Sequence, residues 1–229
     1  MDKREKQMSE TFRMGAVLAL AGGSLDAYSY TVRGKVFANA ETGNMVLLGI
    51  HLFRGEWYTA LTYLVPVLAF ALGVIVAECI RSRYKGRPGI HWRQFSVLAE
   101  MCIVAAVAFL PQSWNMAANV AVAFVCAVQV ESFRKVNGNA FATTMCTGNL
   151  RSGTEKLYHY LRTRDPELRQ KAVQYYGIIL CFILGAAVGA QVSAHLMERA
   201  ALVPGALLLA AFLMMFRKEE EALLENRAD

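Results

Sequence analysis

The chain has 229 residues, 55% of them hydrophobic and only 18% charged, with a mean hydropathy of +0.32 and a net charge of +6. A soluble domain carries roughly a quarter charged residues, mixed along its length, whereas here they gather at residues 2–13, 81–93, 151–171 and 217–228. That pattern excludes an ordinary soluble globular protein, and basic residues flanking apolar runs argue for cytoplasmic loops rather than a nucleic-acid surface.

The N-terminal stretch "MDKREKQMSETFRMGAVLALAGG" has the basic start and short apolar run of a secretory signal, yet it also opens the first unit of an internal repeat, so it is expected to stay. Arg13 to Asp26 encloses twelve uncharged residues, Glu56 to Glu78 twenty-one, Glu100 to Glu131 thirty and Lys171 to Glu198 twenty-six. Spanning a bilayer core takes about 20 mainly apolar residues. The expected spans are 14–33, 60–80, 94–110, 114–132, 173–195 and 201–216.

After the first span comes "AETGNMVLLG", and "TMCTGNLRSG" follows the fourth. Thr42-Gly43-Asn44 falls on Thr147-Gly148-Asn149, 105 residues later, and the same offset places Asp26 on Glu131. "FALGVIVA" from Phe70 matches "FILGAAVG" from Phe182 at an offset of 112. The chain therefore reads as two related halves, about 14–110 and 116–216, within a single membrane domain.

Lysine and arginine give the orientation. Loop 81–93 carries Arg81, Arg83, Lys85, Arg87 and Arg93, and loop 133–172 carries eight basic residues. The opposite side holds only Lys35, Arg54 and Arg199. The positive-inside rule then puts both termini in the cytoplasm. Were the Thr-Gly-Asn segments full crossings, loop 81–93 would face outward, against that rule. Three spans per half is an odd number, so the halves are expected upside down relative to each other, the inverted plan of many transporters. The expected fold is an all-α membrane protein of six transmembrane helices in two inverted three-helix repeats, each with a Thr-Gly-Asn re-entrant or interfacial segment.

The stretch "GGSLDAYSYTVRGKVFANAETGNMVLLG", its partner "TGNL" and the six-span layout resemble the YoaK-like family of small bacterial inner-membrane proteins. The resemblance covers essentially the whole chain. It implies a location in the bacterial plasma membrane and a multi-pass topology, and it brings no catalytic or binding residues.

Polar residues within the spans carry the rest. Asp26 lies thirteen residues past Arg13, so a helix puts it about 20 Å along, beyond the middle of a ~30 Å core. An ionisable group at that depth is costly and points to function, with Tyr28 beside it as a source of a hydroxyl. The alternative is that Asp26 caps a short helix or pairs with Arg33 or Lys35. Its counterpart Glu131 stands beside Ser132, Arg134 and Lys135 and is expected as an interfacial, salt-bridged carboxylate. Thr42 or Asn44, and Thr147 or Asn149, are candidate N-caps for the helices that follow, with Gly43 and Gly148 permitting close backbone approach. Helix N-termini suit an anion or polar solute; if both segments re-enter, they converge near the midplane with Asn39, Glu41 and Thr144 close by. The alternative is two surface turns. Glu78 and Glu100 are expected to pair with Arg81 or Arg93, and Gly185 and Gly189 to form a packing face.

The five cysteines are scattered and no Cys/His spacing for a metal is present, so no metal or cofactor is expected. No nucleophile motif or phosphate loop supports an enzyme. The expectation is a secondary transporter or permease for a small polar or anionic solute, in contact with the lipid bilayer and as a possible homodimer; a channel or a non-transporting scaffold or sensor is the alternative.

Overall fold

A computed structural model describes residues 11–84, 92–133, 135–136, 139–140 and 144–228. Among the described residues the chain forms eight α-helices: α1 Phe12–Val32, α2 Glu41–Phe53, α3 Trp57–Tyr84, α4 Trp92–Val107, α5 Asn115–Ser132, α6 Cys146–Thr163, α7 Pro166–Leu196 and α8 Leu202–Ala228. A two-residue antiparallel ladder, β1 Lys135–Val136 with β2 Asn139–Ala140, lies between α5 and α6. The long helices follow the expected spans to within a few residues at most ends, whereas α7 begins earlier, at Pro166. Arg134, named above beside Glu131, falls outside the described residues.

Local chemistry sets the ends. Thr11 accepts the Met14 N–H at 3.3 Å and so starts α1. Asp165 accepts the Glu167 N–H at 2.9 Å, and Pro166 at the first position of α7 gives up an N–H that has no helical acceptor. Gly34 and Lys35, both left-handed at φ 88° and 64°, turn the chain out of α1.

Packing repeats between the halves. With α1 matched to α5, α2 to α6, α3 to α7 and α4 to α8, every main contact has a counterpart. Helix α1 packs on α7 as α5 packs on α3; α2 lies on α3 as α6 lies on α7; α1 meets α8 as α5 meets α4; and α4 meets α8 across the middle. The two glycines of the "FxLG" repeat do the same work. A Cβ on Gly73 would stand 2.5 Å from the Phe124 carbonyl oxygen of α5, and one on Gly185 would stand 2.1 Å from that of Leu20 on α1. Glycine is required at both because the helix backbones touch there. Gly189 likewise rests on Ser24, so the expected packing face is present.

Among the described residues, three helical runs are long and apolar enough to cross a membrane by length and composition: Trp57–Arg83, Gln112–Ser132 and Pro166–Met215. The last takes in two helices, broken at Met197, where φ is +50°. Helix α1 is outside that set because its glycines, serines, tyrosines and Asp26 dilute its apolar character, although Met14, Leu18, Ala19, Ala21 and Leu25 are fully buried. A helix walled off by α7 and α8 need not be uniformly apolar, which lets it hold Ser24, Asp26 and Ser29. Leucines and isoleucines of α3, α7 and α8 point outward instead, including Leu68, Leu72, Ile75, Leu180, Ile183 and Leu213. Helix α6 is polar with one exposed apolar stripe of Leu150, Leu157, Tyr158 and Leu161, the pattern of a helix lying along a membrane surface. There the Lys156 ammonium, 3.1 Å from Glu155, holds that carboxyl below the usual range.

Candidate functional site

Gly22 stands halfway along α1, and the residues preceding both Thr-Gly-Asn segments reach it. The Asn39 amide donates from Nδ2 to the Gly22 carbonyl at 3.2 Å. From the other half, Thr144 presses so closely that a Cβ on Gly22 would lie 2.6 Å from its Cγ2, and 3.8 Å from Asn39 Nδ2. Asn39 and Thr144 are related by the 105-residue offset, and both are buried. Asn39 Oδ1 and Thr144 Oγ1 are buried beside α1 with no hydrogen-bond partner among the described residues.

One turn along α1, Asp26 is buried and its Oδ1 accepts the Asn39 backbone N–H at 2.7 Å. The N–H groups of Ala38 and Ala40 face the same carboxylate. The protein's own acid therefore fills the donor-rich approach to α2. Of the two alternatives for Asp26, pairing with Arg33 or Lys35 is not what forms; the carboxylate holds the start of a short helix.

The Thr-Gly-Asn segments lie inside their helices rather than before them. Helix α2 begins at Glu41 and α6 at Cys146, so each asparagine is the fourth helical residue. Neither Ala40 nor Met145, the residues flanking those starts, makes a side-chain cap. The expected capping by Thr42, Asn44, Thr147 or Asn149 is thus corrected, because an N-cap must precede the first turn. Asn44 is fully buried and clamps the preceding loop instead, accepting the Phe37 N–H at 3.0 Å and donating to the Phe37 carbonyl at 2.9 Å and to Glu41 Oε2 at 3.0 Å. Asn149 is buried in the matching place, while Thr42, Thr147 and Gly148 are exposed. Gly43 backs onto the Phe37 ring, which a Cβ would meet at 3.0 Å, whereas Gly148 has open space.

Glu41, beside Asn39, has Oε1 without a partner among the described residues and interacts electrostatically with Asp26. Tyr28 is buried and its hydroxyl accepts from Arg33 Nε at 2.7 Å. Glu131 is buried near the C-terminal end of α5, 3.8 Å from Arg81, which also holds Glu78 at 3.0 Å. Glu131 does not join Asp26.

Two buried groups were missed or misplaced by sequence reasoning. Arg33, 1% exposed, directs all five of its N–H donors to neutral acceptors: Tyr28, the carbonyls of Val107, Leu110 and Pro111, and Asn115 Oδ1. It stands last in the expected span 14–33 and suggested itself only as a partner for Asp26. Glu100 pairs with neither Arg81 nor Arg93; it is 1% exposed, with both carboxyl oxygens lacking a partner among the described residues. Its place seven residues beyond Arg93, inside an apolar run, was the available signal.

Against known proteins, residues 14–214 match the family model described as "Protein of unknown function (DUF1275)". The chain is 23% identical over 175 residues to the UPF0700 transmembrane protein YoaK of Bacillus subtilis (strain 168), covering 72% of this chain and 76% of that protein. No solved structure matches. With the family model covering nearly the whole helical bundle, and a transmembrane relative of the kind that the "GGSLDAYSY…TGN" signature suggested, the chain belongs to the DUF1275 family of membrane proteins.

Proposed function

We propose that this membrane protein is a secondary transporter or permease for a small polar solute, working by alternating access between two inverted repeats of three spans each. Six spans with both termini cytoplasmic place the basic loops inside, in a bacterial plasma membrane. The matched packing of α1–α4 and α5–α8 supports the repeat, and an odd number of spans per unit makes it inverted.

The single observation that carries a transport role is the convergence of Asn39 and Thr144 on Gly22. Irregular backbone is tolerated within a membrane only where it is buried in protein or lines a cavity. Here one such segment from each half brings an unsatisfied polar atom to the midpoint of the most enclosed helix. Rocking one half against the other would open that point to either side in turn. Because Asp26 already occupies the N–H groups before α2, and Glu41 stands next to it, a neutral or cationic solute fits this site better than an anion.

The test is uptake of a broad solute panel into proteoliposomes, with wild type beside Asn39→Ala and Thr144→Ala. Flux of at least one solute, lost in both variants while they remain folded, is the expected result. Absence of any flux, or flux indifferent to both substitutions, would remove the assignment.

A further inference from the structure

Glu100 lies in α4, which packs on α5 and α8. Its side chain is 1% exposed, and neither carboxyl oxygen has a hydrogen-bond partner among the described residues. An ionised carboxylate buried with neither counter-ion nor donor is among the most costly arrangements in a protein interior; such a group ordinarily takes up a proton and becomes neutral.

Among the described residues the surroundings supply no cation. Across α5, Cys126 is fully buried and interacts electrostatically with Glu100, Asp26 and Glu41, so the groups of α1, α2 and α5 facing this region add only acidic or neutral character. The described side chains of α8, from Leu202 to Met215, include no titratable residue. Arg33 spends its donors on carbonyls near the far end of α4, at Val107 and Leu110. Arg93, at the near end, donates to the Ser132 carbonyl at 3.1 Å. Glu78 and Arg81 are paired with each other at the end of α3, and Arg83 is exposed there; Glu198 and Arg199 sit in the turn after α7.

The fold does not need an acid at this place. Helix α8, the counterpart of α4 in the second half, is apolar throughout residues 202–215, with Leu208 and Ala211 fully buried. The same packing role is thus filled by hydrocarbon in one half and by a carboxyl in the other.

We propose that Glu100 is a proton-binding site in the membrane interior, held as the neutral acid, with Cys126 of α5 within electrostatic reach of both it and the polar centre of Asp26, Asn39 and Glu41. Uptake is a plain protonation: one carboxylate oxygen gains a proton from water and gives it back on release. Resting on the transport reading, this names the proton as the ion carried with the solute, its release being triggered when water reaches α4.

Infrared spectroscopy of the purified protein in lipid tests this independently of flux. The expected result is a protonated-carboxyl C=O band at neutral pH that is absent in Glu100→Gln, shifts in Glu100→Asp and disappears only at alkaline pH. A spectrum unchanged by both substitutions would overturn the proposal, as would a band lost below neutral pH. If Glu100→Gln fails to fold, Glu100→Asp alone decides by the presence or absence of the shift. A band that behaves as expected in a protein that moves no solute would leave the proton site standing and sink only the transporter assignment.

Discussion

The Asp26 carboxylate accepts the Asn39 backbone N–H at 2.7 Å, so a residue within α1 fixes where the loop before α2 stops. The same asparagine returns the contact through its side chain, bonding the Gly22 carbonyl one turn back. Helix α1 and the Thr-Gly-Asn segment are in this way one unit, and moving either moves the other.

Asp26→Asn keeps the shape but removes the charge that strengthens that bond. Hydrogen bonds to charged groups contribute about 1.5–3 kcal/mol, so the substitution is expected to lower the melting temperature in detergent clearly and to reduce flux. An unchanged melting temperature with normal flux would show that the contact is incidental.

The glycines separate into two kinds. Gly23→Ala puts a methyl 2.0 Å from the Phe182 carbonyl oxygen of α7 and must push the helices apart, an overpacking cost of about 1–3 kcal/mol. Gly148→Ala meets nothing within 4 Å, and in a helix it stabilises by about 0.5–1 kcal/mol. Thermal unfolding of the two variants side by side checks the opposite signs.

Arg33→Lys keeps the charge and loses the geometry. An ammonium has three donors where the guanidinium places five, leaving carbonyls at the end of α4 unsatisfied. Each buried carbonyl left without a donor costs about 1–3 kcal/mol, so the variant is expected to give little folded protein in a fluorescence-detected size-exclusion profile. A yield equal to wild type would mean that the carbonyls find other donors.

The sequence made the membrane class and the positions of the long helices legible, because clusters of charge between apolar runs survive as a linear pattern, and the repeated "FxLG" marked two close helix contacts, at Gly73 and Gly185. It also singled out Asp26, Asn39 and Thr144, and Asn39 contacts both Asp26 and the Gly22 carbonyl where Thr144 packs. It misled on Thr42, Asn44, Thr147 and Asn149, since the choice between a cap and a first-turn residue depends on where the helix starts, and a shift of a few residues changes the role. Arg33 and Glu100 were hidden for another reason. Whether a charge near a span end is loop or core is decided by which helix closes over it, and that is a tertiary fact.

The most direct measurement is cross-linking of Asn39→Cys with Thr144→Cys in a chain whose five native cysteines are replaced. Mild oxidation or a short thiol cross-linker should join the two positions within one chain and stop solute flux, and reduction should restore it. Failure to cross-link, or a cross-linked protein that carries solute as freely as the reduced one, would contradict the claim that the two halves meet at the midpoint of α1 and move there.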